Sequence, residues 1–228
     1  MKKKKLVIST GAGMSAESGI STFRDAGGLW ENHDVMEVAS ADGFRRNPEL
    51  IHRFYNERRK ELQKALPNAG HLGLVELEKD YDVYIITQNV DNLHEKAGSS
   101  HVLHLHGELM KVRALDDDTK VWTLGPEALE TSTQTRIEGH QVRPHIVFFQ
   151  EAVPNIEPAV ELVQEADVFV VIGTSLNVYP AAGLLRYVRP GVPVYYIDPH
   201  PAPVPEGVTV LPVKASEGVA MLAGILKR

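Results

Sequence analysis

The chain has 228 residues, 43% of them hydrophobic, enough for one large α/β domain or one domain with a small insert. Its 24 Lys and Arg are outweighed by 30 Asp and Glu, a formal net charge of −6, which argues against nucleic acid as a partner. There is no cysteine, so disulfides, cysteine-ligated zinc and a thiol nucleophile are excluded, and a reducing, cytoplasmic setting is expected.

Met1 and four lysines lead into Leu6-Val7-Ile8, an apolar run far too short for a signal peptide, and a first strand is expected over Leu6–Ser9. No stretch is long and apolar enough to span a membrane, and no membrane partner is expected. Gly11-Ala-Gly13-Met-Ser-Ala16 follows that strand and satisfies G-x-G-x-x-G/A. Glycines there allow a tight turn and the approach of a pyrophosphate to amides at a helix N-terminus. A dinucleotide dehydrogenase should also show a second strand ending in Asp or Glu about 20 residues on. Leu29-Trp-Glu-Asn-His-Asp34 does not read as one.

Asp25–Leu66 instead supplies loop and helix. Pro48–Leu66 is predicted helical, with Asn47 as N-cap and Pro48 at the first helical position. Ile51, Tyr55, Arg58, Leu62 and Leu66 fall on one stripe. An arginine there is open to two readings: a snorkelling or ion-paired edge residue, or, beside Tyr55, a planar fork aimed at a carboxylate. A second helix is expected over Ala69–Lys79 and a strand over Tyr81–Thr87. Six of the eight side chains in Thr87-Gln88-Asn89-Val90-Asp91-Asn92-Leu93-His94 can hydrogen-bond, at the strand edge where open α/β sheets bind ligands. Helix capping by Asn89 or Asp91 would occupy only one or two of them.

In the strand Val102–Leu105, alternation puts His104 and His106 on one face, as metal ligands or as satisfied polar groups. His106, followed by Gly107, is the better candidate for acid–base chemistry, since an imidazole of pKa about 6.5 can accept a proton at neutral pH. The polar stretch Lys111–Val142 and Asp25–Leu66 are expected to form a small second domain. Beyond them come a helix over Pro158–Ala166 and a strand over Val168–Ile172 that runs into Gly173-Thr174-Ser175, suited to phosphate or ribose. A strand over Val192–Ile197 ends on Asp198, placed to meet a ribose diol, and a helix over Val219–Lys227 closes the chain. Continuous apolar strands separated by helices predict an α/β fold built on a doubly wound, Rossmann-like parallel sheet.

Taken together, these motifs resemble the sirtuins, NAD-dependent protein-lysine deacylases, over nearly the whole length. The resemblance implies NAD as cofactor, acyl-lysine proteins or peptides as partners, and nicotinamide and O-acyl-ADP-ribose as products. It implies a Rossmann-like part of about 1–24, 67–110 and 143–228, with a small domain from insertions at about 25–66 and 111–142. Gly11, Ala12, Gly13, Ala16, Glu17, Thr22, Phe23, Arg24 and Trp30 would belong to the cofactor loop and its surroundings. Gln88, Asn89, Val90 and Asp91 would take the nicotinamide end, and Gly173, Thr174, Ser175, Asp198 and Ala215 the rest of the dinucleotide. His106 would be the general base, with Asn89 and Asp91 orienting the ribose. Phe149, Glu151 and Val178 would flank the peptide. Tyr55 and Arg58 are similar to the tyrosine and arginine, three residues apart, of the class III sirtuins that remove succinyl and malonyl groups.

The family's four zinc-binding cysteines are missing, so no metal is expected and the 111–142 insert must hold by packing. Ser21, Gln150 and Asp198 stand where the family often has proline, glycine and asparagine. An NAD glycohydrolase or ADP-ribosyltransferase on the same fold, or a non-catalytic NAD-sensing module, are the rival functions, and a monomer is expected.

Overall fold

The computed structural model describes residues 2–20, 29–30 (backbone only) and 33–227. In chain order these form β1 (Lys5–Thr10), β2 (Leu29–Trp30), β3 (His33–Asp34), α1 (Val35–Val38), α2 (Ala41–Arg46), α3 (Pro48–Lys64) and α4 (Ala69–Leu77). Next come β4 (Asp82–Thr87), α5 (Leu93–Ala97), β5 (Val102–His104), β6 (Gly107–Ala114), β7 (Val121–Thr123), β8 (Arg136–Ile137) and β9 (His140–Ile146). The chain ends with α6 (Ile156–Gln164), β10 (Val168–Ile172), β11 (Val194–Ile197), β12 (Val208–Leu211) and α7 (Ala215–Leu226).

The main sheet has six strands in the order β12-β11-β10-β1-β4-β5, and every pairing is parallel. Both faces are covered. Leu6 and Ile8 of β1 point into a core with α4 and α7, while Val7 points into a second core with α6. This explains why β1 and β10 read as unbroken apolar runs. Burial of each such side chain stabilises the sheet by about 1.5–3 kcal/mol. The connections run one way from β1 to β4 and β5 and the other way from β10 to β12. The switch point, where open α/β sheets bind ligands, therefore lies beyond the carboxyl ends of β1 and β10.

Local expectations change at several points: the closing helix begins at Ala215, four residues before Val219, and Leu29–Asp34, which does not read as a strand, holds the two-residue strands β2 and β3. The edge strand β12, only four residues among prolines and a glycine, gave no periodic signal. The glycine loop runs into two short 3-10 turns, Ala12–Met14 and Ala16–Ser18, and not into a long helix. Helix α3 stops at Lys64, because Pro67 biases the chain before it toward extended backbone; Ala65 is already extended, and Leu66 is 75% exposed and not on the buried stripe.

The segment read as a polar insert contains an antiparallel sheet in the order β7-β6-β9-β8, closed over Val112, Leu124 and Val142. It is fastened to α3 by buried polar groups. Asn56 Nδ2 donates to Thr131 O at 2.9 Å, and Thr131 N donates back to Asn56 Oδ1 at 3.0 Å. The Arg59 side chain is fully buried; its Nε donates to Leu109 O at 2.8 Å, and its Nη1 to Asn56 Oδ1 at 2.8 Å and to Leu129 O at 3.2 Å. Burial pushes Arg59 down to about 10, so it remains a cation at neutral pH, met here by carbonyl and amide oxygens. His52 Nδ1 lies 2.8 Å from Thr131 Oγ1 on the same face.

Candidate active site

The loop after β1 and the loop after β10 meet at the switch point through glycines. Gly13 N donates to Gly173 O at 2.8 Å. A Cβ on Gly13 would lie 2.7 Å from Gly173 Cα, and one on Gly11 would lie 2.8 Å from Gly173 O. Gly173 has φ +64, and a Cβ there would sit 2.4 Å from Met14 N. These glycines are thus required first by loop-against-loop packing, a reason that the pyrophosphate argument alone did not supply.

Around this contact the strand ends converge. Ser15, fully buried, donates through Oγ to Asp91 Oδ2 at 2.8 Å and accepts from Asn89 Nδ2 at 3.1 Å. Asp91 Oδ1 accepts from Leu93 N, the first residue of α5, at 3.1 Å, but the N-cap position is Asn92, which makes no side-chain cap, so neither Asn89 nor Asp91 is the N-cap that helix capping would have required. Burial pushes the Asp91 carboxyl up, while the Leu93 and Ser15 hydrogen bonds and the neighbouring His104 charge pull it down; burial prevails. Asn89 N donates to Thr87 Oγ1 at 3.0 Å, which holds the turn after β4. Gln88 Nε2 reaches Thr174 Oγ1 at 3.4 Å, tying this loop to the one after β10. Ser15 lies within the glycine motif, and its role follows from where the turn aims its hydroxyl.

His106 follows β5, and its Nδ1 lies 3.1 Å from Gln88 O. A carbonyl oxygen only accepts, so Nδ1 carries the hydrogen and Nε2 keeps its lone pair. Burial lowers its pKa, partly offset by the Gln88 bond, and it is neutral at pH 7. His104 points into the same loop, bonding Asn89 O at 3.0 Å and Glu95 Oε1 at 2.7 Å, so it is one of the satisfied polar groups.

The other expected residues fall as follows. Glu17 is exposed and its carboxylate accepts from Ser216 N at 3.0 Å and Ser216 Oγ at 2.6 Å, next to buried Ala215, which joins the glycine loop to the start of α7. Burial raises Glu17, but the two Ser216 bonds and the Lys214 charge outweigh it and lower the pKa. Ala12 is half-buried and Ala16 exposed on the same loop, and Ser175 and Val90 are half-buried beside Thr174 and Asn89. Asp198 is buried at the end of β11 and accepts from His200 N at 2.8 Å. Thr22, Phe23 and Arg24 lie outside the described residues, as does the side chain of Trp30.

Of the peptide-flanking residues, Phe149 is 41% exposed and Val178 half-buried, both at the surface. Glu151 is turned inward. Its carboxylate accepts from Arg143 Nη1 at 2.6 Å, Arg143 Nη2 at 3.2 Å, Arg113 Nη2 at 3.2 Å and Phe148 N at 2.8 Å, so it braces β9 and the Phe148 turn internally. Tyr55 is buried against Phe54 and Phe148. Arg58 keeps 14% of its side chain exposed, stacks its guanidinium 5.0 Å from the Phe54 ring and grips Glu61 with two bonds, Nε to Oε2 at 2.8 Å and Nη2 to Oε1 at 2.7 Å. The fully buried arginine of α3 is Arg59, one position on; it follows Tyr55 by four residues where Arg58 follows Tyr55 by three, both of them helical-neighbour spacings, so spacing by itself does not separate the two.

The donor set fits a dinucleotide: close-packed glycine backbone and the hydroxyls of Thr174 and Ser175 at the switch point, the Asn89–Ser15–Asp91 relay at one end and the Asp198 carboxylate at the other. Among the described residues no group of three or more His, Asp or Glu is arranged to hold a metal ion, and no helix is long and apolar enough to cross a membrane.

Comparison with known proteins points the same way. Residues 11–180 match the Sir2 family. The chain is 56% identical over 229 residues to a protein of Bacteroides thetaiotaomicron named NAD-dependent protein deacylase, with 98% of each chain covered. It is 53% identical over 202 residues to one of Helicobacter pylori with the same name, covering 86% of this chain and 85% of that one. Among solved structures, a mutant Sir2 homologue in complex with ADP ribose superposes with a TM-score of 0.89 at 36% identity, over 99% of this chain and 92% of that one. A Sir2 homolog–NAD complex gives a TM-score of 0.87 at 36% identity, over 99% and 90%.

Proposed function

The chain belongs to the Sir2 family and is an NAD-dependent protein deacylase, and from that premise we propose that lysines carrying acidic acyl groups, succinyl or malonyl, are its better substrates, with acetyl-lysine accepted less well. One observation carries this proposal. Arg58, one turn from Tyr55 on α3, already holds a carboxylate in its fork: both oxygens of Glu61 accept from it in the bidentate mode that a succinyl or malonyl carboxylate would use. Glu61 is itself mostly exposed, so it can yield the fork to a competing carboxylate at little cost.

When bound, NAD would supply an electrophilic ribose carbon to the acyl group. The chain's own groups do the rest. Asn89 and Asp91, fixed on Ser15, would orient the ribose and a water, the glycines and hydroxyls of the two crossing loops would hold the phosphates, and Asp198 the distal ribose. His106 would take a ribose hydroxyl proton at Nε2, the nitrogen that the Gln88 carbonyl leaves free.

The test is Arg58→Met, assayed by mass spectrometry on matched succinyl-, malonyl- and acetyl-lysine peptides. A hydrogen bond to a charged group contributes about 1.5–3 kcal/mol, so kcat/KM for the acidic peptides should fall roughly 10- to 150-fold while acetyl turnover changes little. Equal losses on all three would make Arg58 structural.

A further inference from the structure

His104 lies outside the roles assigned so far, and both of its ring nitrogens face acceptors. Nδ1 is 3.0 Å from Asn89 O and Nε2 is 2.7 Å from Glu95 Oε1, on a side chain only 7% exposed. A carbonyl and a carboxylate can only accept, so both nitrogens must carry hydrogen and the ring must be an imidazolium. The backbone of His104 is itself clamped, since its carbonyl accepts from Asn155 Nδ2 at 2.7 Å.

We infer that His104 and Glu95 form a charged positioning pair for the reaction, the imidazolium anchoring the main chain of Asn89 and setting its cationic charge beside the buried Asp91 carboxylate. With Asn89 N on Thr87 Oγ1, Asn89 O on His104 and Asn89 Nδ2 on Ser15, the remaining polar atom of Asn89 is Oδ1, which the three anchors hold in place. This inference rests on the assignment of Asn89 and Asp91 to the reaction.

The surroundings support the charge. Burial alone would lower the pKa of His104, but the Glu95 hydrogen bond and charge, Glu108 on β6 and the Asn89 carbonyl outweigh it, and the pKa is raised. The charged or titratable groups facing the pair are Asp91 from the loop after β4, His94 from α5, and Glu108 and Lys111 from β6. Asp91 and Glu108 favour the cation, and buried His94 stays neutral, its pKa pushed well down. Lys111 is tied to Glu108 at 2.6 Å. Since the folded pKa lies above the unfolded one, the pair's anchoring is complete at lower pH and is lost as pH rises through the raised value. When the ring loses its proton, either Asn89 O or Glu95 loses its donor.

Two measurements test this. ¹⁵N shifts of the His104 ring in the wild-type protein should report two protonated nitrogens at pH 7, a readout independent of turnover. Glu95→Gln should move the alkaline limb of the kcat profile toward neutrality by about one pH unit, the scale on which a close opposite charge shifts a pKa, and leave the acid limb in place. A neutral His104 ring at pH 7, or a Glu95→Gln profile that superposes on the wild type, overturns the pairing. Asn89→Ala separates the two levels: if it keeps wild-type turnover, the assignment of the Asn89 loop to the reaction is what fails.

Discussion

Replacing Arg59 with methionine should weaken the protein through the joint between α3 and the small antiparallel sheet. The substitution leaves a chain of similar length but no donor. Leu109 O and Leu129 O then lose the partner that the guanidinium supplies, while Asn56 Oδ1 keeps the Thr131 N–H. Leu109 lies where the β6 register against β9 shifts, between Gly107 and Val112, so the sheet ladder is irregular around that carbonyl. Two buried carbonyls without donors cost about 1–3 kcal/mol each, and relief from burying a cation offsets part of this, for a net loss of about 2–4 kcal/mol. For a chain of this size that is a fall in Tm of roughly 4–16 °C. Differential scanning calorimetry measures it, and limited proteolysis should show faster cleavage within residues 115–135. A variant that melts within 2 °C of the wild type, or above it, with unchanged cleavage would refute the idea that Arg59 holds the insert in place of a metal.

The remaining predictions concern chemistry and backbone. His106→Ala should lower kcat by about 10²–10⁴-fold with NAD binding retained, and more than half of wild-type turnover would remove it as the base. Because the base acts only when neutral and burial lowers the His106 pKa, the acid limb of the wild-type profile should lie below about 6.5, and a limb above 7 would contradict the burial argument. Gln150 has φ 76 and bridges to Asp42 at 2.7 Å, so Gln150→Gly should change stability by less than about 1 kcal/mol while Gln150→Val costs about 2 kcal/mol or more; equal effects in denaturation would show that the left-handed backbone imposes no strain. Activity should survive dialysis against EDTA, and a loss restored by zinc would reveal a metal site without cysteines.

The chemistry was legible in the sequence because it is carried by consecutive residues. A glycine loop after a strand, Gln88-Asn-Val-Asp91 after another, and His106-Gly107 after a third each declare themselves locally, and parallel strands buried on both faces leave unbroken apolar runs in β1 and β10. What holds the site together was not legible, because it depends on which side chain lies opposite which across long separations. Gly13 against Gly173, Ser15 under Asp91, and Glu151 turned inward to Arg143 and Arg113 are meetings that periodicity cannot rank. The clearest case is on α3, where Arg58 and Arg59 are chemically identical neighbours. A helical step of about 100° sends one to the edge, with Glu61 on its fork, and the other inward to the carbonyls of Leu109 and Leu129. Only the placement of the antiparallel sheet against that helix decides which arginine stays at the edge, paired with Glu61, and which is consumed in holding the fold.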